Sequence, residues 1–341
     1  MSMLKAIAAA ANIVALSLLC ECDGDGPICG GEPEVEVEIV DLDWGDTVVR
    51  GIARNFDSSK HHVVVWASTD AWYPQPTNLN PYTPINSNGT WECRLHSWKQ
   101  IIVLIVDTTL YLPPGQFRSD HPWCAGGVVV WDGFPKLSFA GYVWHIRNID
   151  SSGPGPNCFS ADEENVWVDE MGLHLHTTPK DTGYCCADVY LEHALGYGQY
   201  TFQVASRLDL LDDSAVFSGF TYESDSEEVD IEFSCILADP HCAQYVIQPW
   251  GVSGNKEEFP YPPVKYSSHR FDWRKDGLVF TSWRGLQPLP HPDSVIHRWV
   301  YRGDWIPQPG CERMHFNLWL FRGATPQHSD EVVIRRFRYE P

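Results

Sequence analysis

The stretch with the most chemical promise is EEVDIEFS, residues 227–234, in which Glu228, Asp230 and Glu232 alternate with Val229, Ile231 and Phe233. On a β-strand alternate residues share a face, so the acids point one way while the apolar side chains enter a core. An ordinary half-solvated strand alternates in the same way. Charge separates this one from that case, because no Lys or Arg occurs from Leu208 to Val246 to relieve the repulsion. Crowded carboxylates raise one another's pKa, so one stays protonated near neutral pH while a neighbour ionises. Cleaving a glycosidic bond needs that division: one carboxylic acid protonates the departing oxygen, and one carboxylate attacks the sugar or activates water. The two groups must lie about 5–5.5 Å apart for retention or about 6.5–9.5 Å for inversion. Four residues of strand separate the Cα atoms of Glu228 and Glu232 by roughly 13 Å. The pattern therefore calls for a concave sheet on which the two long side chains lean inward, with the shorter Asp230 between them to tune one partner.

The elements around this strand must build such a sheet. From residue 137 onward short runs follow closely, among them KLSFAGYVWHIR, ADVYLEH, GQYTFQVASRL, SAVFSGFTYES, AQYVIQPW, HRFDWRKDGLVFTSWRG, MHFNLWLFRG and EVVIRRFRYEP. Sustained helical periodicity is missing, so the expected class is all-β. This many strands without an internal break predict two large stacked sheets, a β-jelly-roll, over residues 137–341. Residues 35–111 hold five shorter runs, VEVEIVDLDW, TVVRGIARN, HHVVVWAST, GTWECRLHS and KQIIVLIVD. Their spacing predicts a small Ig-like β-sandwich, an accessory module. Between the third and fourth runs lies a Pro- and Asn-rich loop carrying Trp72, Tyr73 and Tyr82. Those rings are expected to cover the sandwich edge or pack on the second domain, ahead of gripping a glycan. Residues 21–34 and 112–136, rich in Gly and Pro, read as linkers.

Composition narrows the partners. The 341 residues carry a formal charge of -21, which argues against a polyanionic ligand such as nucleic acid. Fifteen Trp, 14 Tyr and 15 Phe exceed what a core requires, and ring faces suit the apolar C–H faces of sugars. Lys5 followed by an apolar run from Ala6 to Leu19 fits a secretory signal over residues 1–20 and is short for a membrane span. Secretion is the reading; lipid anchoring through Cys20 is the less favoured alternative, because Leu19 is bulky where a lipoprotein box wants a small residue. Eleven cysteines in an exported chain point to disulfides. Cys235 with Cys242 could close a hairpin, as could Cys22 with Cys29, while adjacent Cys185 and Cys186 take different partners or leave one buried and free. NGT at Asn88 is a single N-glycosylation acceptor, usable only in a eukaryotic secretory route.

The strand EVDIEF resembles the catalytic strand of glycoside hydrolase family 16, a clan of jelly-roll endoglucanases and endogalactanases, whose pattern is E-x-D-x-E or E-x-D-x-x-E. LGYGQYTF, SGFTYES, HRFDWRKDGLVF and HFNLWLF are similar to further blocks of that family in the same order, so the likeness spans most of residues 137–341. The resemblance implies Glu228 as nucleophile, Glu232 as general acid and base, and Asp230 as supporting acid, acting with retention. It also implies sugar contacts from Asn157, Tyr222, Gln248, Trp250, Asn317 and Trp319, although Trp319 and Tyr222 would serve equally as core and Asn317 as a partner for backbone. E-x-D-x-E without an extra residue is similar to the β-1,3-1,4-glucanase and xyloglucan-acting branches. The sugar-binding Glu and Arg expected after Gly-Tyr-Gly in the former fall on Thr201 and Gln203. No calcium or other cofactor is assigned, since VVIRRFRYEP offers Arg335 and Arg336 where the family carries an acidic ligand.

His61 with His62, and His174 with His176, lack the third ligand of a metal site and read as surface histidines. The expectation is a secreted, monomeric, retaining endo-β-glucanase acting on a polysaccharide. A transglycosylase using the same carboxylates, or a lectin using the same sandwich without chemistry, is the alternative; the intact acid trio speaks against the lectin.

Overall fold

The computed structural model describes residues 34–41, 47–68, 72–77, 79–95, 98, 100–110, 112, 128–181, 183–236 and 241–341. The expected signal segment, Cys20, and the Cys22 and Cys29 pair lie outside the described residues. Two compact units are present, Met1–Gly133 and Phe134–Pro341. No α-helix occurs among the described residues, and no helix among them is long and apolar enough to cross a membrane.

In the first unit a three-stranded sheet runs Glu34–Asp41, Thr47–Arg54, Thr90–Leu95, and a five-stranded sheet runs Trp72–Gln75, His61–Ser68, Gln100–Asp107, Val128–Asp132, with Thr83–Pro84 joined to His61–Ser68. Val35, Val37, Val49, Val63, Val65, Trp91 and Ile105 from both sheets meet in one core. Part of the stretch expected as a linker is thus strand, since Val128–Asp132 pairs with Gln100–Asp107. Of the aromatic loop residues, Trp72 is buried and Tyr73 and Tyr82 are half-buried. The Tyr82 hydroxyl donates to Leu110 O at 2.7 Å and accepts from Leu112 N at 2.6 Å, so it holds the chain rather than a ligand.

In the second unit an 11-stranded sheet follows the main order Ile149–Ser152, Asn157–Phe159, Gly183–Leu191, Arg313–Leu320, Ala215–Ser224, Glu227–Phe233, Ala243–Ile247, Lys256–Phe259. A seven-stranded sheet follows Val166–Asp169, Gly172–His176, Glu331–Glu340, Gly198–Val204, Ser267–Arg274, Gly277–Arg284, Val295–Tyr301. Both supply alternate residues to one core, including Trp144, Phe202, Phe217, Phe271, Phe316 and Phe337. This is the jelly-roll sandwich. Pairing is antiparallel except between Asn157–Phe159 and Gly183–Leu191. There Cys158 bonds Cys185 and leaves Cys186 a buried free thiol, while Cys235 bonds Cys242 across a short loop.

The acidic strand Glu227–Phe233 lies inside the larger sheet, between Ala215–Ser224 and Ala243–Ile247. On the former, Gly219 faces the core, where a Cβ would stand 2.7 Å from the Phe202 ring and 3.1 Å from the Phe316 ring. Only glycine lets this strand settle so closely on the ring of the opposite sheet.

Candidate active site

Val229, Ile231 and Phe233 are fully buried in the core, which turns Glu228, Asp230 and Glu232 together onto the other face. Asp230 is buried and the two glutamates are half-buried. None of the three forms an ion pair among the described residues; their partners are neutral. Gln244 Nε2 donates to Glu232 Oε1 at 2.6 Å, with Ser234 Oγ at 3.5 Å from the same oxygen. Gln248 Nε2 approaches Glu228 Oε1 at 3.5 Å, and Asp230 Oδ1 has no partner.

Desolvation dominates the electrostatics. It raises Glu228 from its ordinary 4.5 to about 7, opposed by the Gln248 amide and reinforced by the charges of Glu232 and Asp225. It lifts Asp230 well above the carboxylate range, with Glu232 and Glu228 both adding to the rise. Glu232 is raised too, against donation from Gln244 and Ser234 and the nearby charge of Lys256. The charge of Glu232 disfavours ionisation of Glu228 and Asp230, and that of Glu228 disfavours ionisation of Asp230, so the cluster retains protons near neutral pH.

Strand register arranges the surrounding side chains in rows across the sheet. One row runs Asp188, Asn317, Ser218, Glu232, Gln244, Glu258. The next runs Tyr190, His315, Phe220, Asp230, Val246, Lys256. A third carries Arg313, Tyr222 and Glu228, beside which Gln248 is tied by its N–H to Glu228 O. The face thus combines three proton-holding acids with amides, rings and hydroxyls, a composition suited to a polyhydroxylated ligand.

Most residues singled out in the sequence meet on this face. Tyr222 stands across from Glu228, with its hydroxyl donated to Asp225 at 3.0 Å. Asn317 is buried, and its Oδ1 has no partner. Trp319 is half-buried two residues further along the same strand, 6.4 Å from the Phe321 ring. Gln248 accepts from Trp250 N at 2.9 Å, and the exposed Trp250 ring lies 5.9 Å from Lys256 Nζ. Asn157 differs. It is buried, its Nδ2 donates to Pro154 O at 2.6 Å and Leu320 O at 2.9 Å, and its Oδ1 accepts from the Cys186 thiol. Both amide hydrogens are spent on backbone, which leaves no donor for a sugar.

Thr201 and Gln203 are the positions on which the sugar-binding Glu and Arg of the β-1,3-1,4-glucanase pattern fall. They belong to Gly198–Val204 of the seven-stranded sheet, where Thr201 accepts from Arg270 and Gln203 donates to Leu286 O. On the acidic face the side chains sequence reading passed over are Asp188, Tyr190, His315, Phe220 and Gln244. The signal existed for three of them: His315 stands two before Asn317, Phe220 two before Tyr222, and Gln244 four before Gln248, at the spacing that puts strand residues on one face. His174, expected at the surface, is buried, with Nδ1 2.6 Å from Glu331 and Nε2 2.9 Å from Asp169.

No protein-family model matches the chain, and no curated protein matches it. Among solved structures, a β-glucanase of Bacillus licheniformis is similar at 21% identity and a TM-score of 0.45, covering 61% of this chain and 96% of that one. A prokaryotic β-1,3-1,4-glucanase (lichenase) derived from a mouse hindgut metagenome is similar at 17% identity and a TM-score of 0.45, over 58% and 92% of the two chains. A β-1,3-glucanase from Mycobacterium marinum is similar at 13% identity and a TM-score of 0.46, over 58% and 90%.

Proposed function

We propose that the second unit is a glycosidase that cleaves β-glucan with retention. The observation that carries this reading is the acid trio on one face of a deep strand, unpaired with any cation and held partly protonated by burial. Glu228, when ionised, attacks the anomeric carbon while Glu232 gives its proton to the departing oxygen, forming a glycosyl ester. Glu232, now a carboxylate, takes a proton from water, which displaces Glu228 and restores both groups. Asp230 keeps its proton and offers it as a hydrogen bond to an ionised neighbour, which lowers the cost of charge on Glu228. Tyr222, Gln248, Trp250, Asn317 and Trp319 would line the sugar subsites, whereas Asn157 would act only by shaping the wall.

Support for glucan over other polymers comes from the resemblance of the E-x-D-x-E strand and its companion blocks. The two disulfides favour an oxidising compartment and hence secretion. The first unit would serve as an accessory module. Incubation with barley β-glucan, laminarin, xyloglucan and an agar-type galactan tests the reading: new reducing ends should appear with a glucan, and NMR of the first product should show the β-anomer. Appearance of the α-anomer first would overturn retention, and no reducing ends from any of the four would overturn the glycosidase.

A further inference from the structure

We infer that His315 is a specificity-determining residue whose Nε2 accepts a hydrogen bond from a free hydroxyl of the sugar bound two strands from Asp230. The inference rests on the glucanase reading. Five cross-strand neighbours, His145, Tyr190, His315, Phe220 and Asp230, form one continuous row. The first four are rings. Their centroids are 5.1, 5.1 and 4.8 Å apart, with interplanar angles of 7°, 32° and 23°. These spacings follow the strand separation of about 4.8 Å, so the rings stand up from the sheet and turn their edges to the groove. Tyr190 and Phe220 cover both faces of the imidazole, and the Tyr222 ring approaches it edge-on at 6.1 Å. His315 is held on every side but one.

Its Nδ1 lies 3.1 Å from Asp188 Oδ1. The other oxygen of Asp188 accepts from Arg147 Nη1 at 3.1 Å. Arg147 is itself fixed, since Nη2 donates to Ser152 Oγ at 2.7 Å and the guanidinium lies 4.4 Å from the Phe159 ring centroid. A carboxylate offers only acceptors, so in the neutral imidazole Nδ1 is the protonated nitrogen and Nε2 carries the lone pair. No hydrogen bond to Nε2 exists among the described residues, and the side chain keeps 14% of its exposure. Asp188 and Arg147 are positioning residues; the recognising atom is Nε2.

Two strand spacings, roughly 9.5 Å between Cα atoms, separate His315 from Asp230. That reach places Nε2 beside a sugar adjoining the scissile bond and not beside the bond itself. A rigid acceptor in a sheltered groove demands a hydroxyl hydrogen, so a chain whose hydroxyl at that position is removed or substituted binds less well. The ligand class this selects is a β-glucan chain unsubstituted at one ring position.

The test compares a mixed-linkage β-glucan tetrasaccharide with its monodeoxy and mono-O-methyl derivatives. Wild type should prefer the parent over one monodeoxy compound by about tenfold or more in kcat/KM. His315→Phe, which keeps the stacking, should treat those two compounds alike, through a rise in KM with kcat little altered. Asp188→Asn provides a second variant: an amide N–H aimed at Nδ1 moves the imidazole proton to Nε2, which then donates to the hydroxyl oxygen, so the preference over the deoxy compound should persist while the preference over the O-methyl ether at the same position should weaken. Wild type that treats every monodeoxy compound like the parent, or a His315→Phe enzyme that retains the preference, would overturn the inference alone. A wild-type enzyme inert on the parent tetrasaccharide and on polymeric glucan would instead overturn the glucanase reading and this inference with it.

Discussion

Two strands of this chain are written in nearly the same letters. Glu34–Asp41 reads EVEVEIVD and opens the first unit; Glu227–Phe233 reads EEVDIEF and lies deep in the second. Each sends its apolar residues to a core, Val35 and Val37 in one case, Val229, Ile231 and Phe233 in the other. The acids then part company. Glu36 and Glu38 keep side-chain exposures of 48% and 62%, and the adjacent strand answers them with Arg54 and Arg50. Glu228, Asp230 and Glu232 face Tyr222, Phe220 and Ser218 on one flank and Val246 and Gln244 on the other, with no cation opposite. Alternation decides which face carries the acids; the flanking strands decide whether those acids are solvated ornaments or proton stores.

The largest effect should come from removing a charge in each strand. Glu228→Gln should lower kcat by about 10³-fold or more, while Glu38→Gln, which breaks one exposed pair, should leave kcat unaltered and stability within about 1 kcal/mol. Steady-state assays on barley β-glucan with thermal melts of both variants check this, and comparable activity losses would break the contrast. A second experiment gives the deep strand what the surface strand has. Tyr222→Arg places a cation across from Glu228, which favours its ionised form, so the acid limb of the kcat/KM profile should move from near pH 7 downward by about one unit. An unmoved limb would mean that Glu228 does not govern it.

The smallest effect concerns stability. Glu228 titrates at about 7 when folded, against an ordinary 4.5, so the folded state binds the extra proton. The stability this contributes is fully present below the ordinary pKa and is lost as pH rises through the folded one. Relative to Glu228→Gln, the wild-type Tm should therefore fall between about pH 5 and about pH 8, by the equivalent of about 2–3 kcal/mol. A parallel pair of Tm curves for wild type and Glu228→Gln would contradict the buried assignment.

Much of the sandwich was legible because it is local. Period-two runs announced the strands, and the same period placed Glu228, Asp230 and Glu232 on a common face. What failed was non-local. Nothing in GQYTF states which sheet it joins, and its strand, with Thr201 and Gln203, pairs with Ser267–Arg274 in the sheet without the acids. The amide of Asn157 is committed to Leu320 O, 163 residues away, a partner no spacing rule reveals. His315 was passed over for the opposite reason. Its face could be read from the period, but its meaning depends on Asp188, 127 residues earlier in the chain.

Gly219 touches no acid, yet the strand beside the acid trio lies where it does because this position carries no side chain. A methyl group there would collide with the Phe202 ring and lift that strand away from the opposite sheet. Every acid would remain while its neighbour across the pair shifted, so the placement of the trio is set partly by a side chain that is not there.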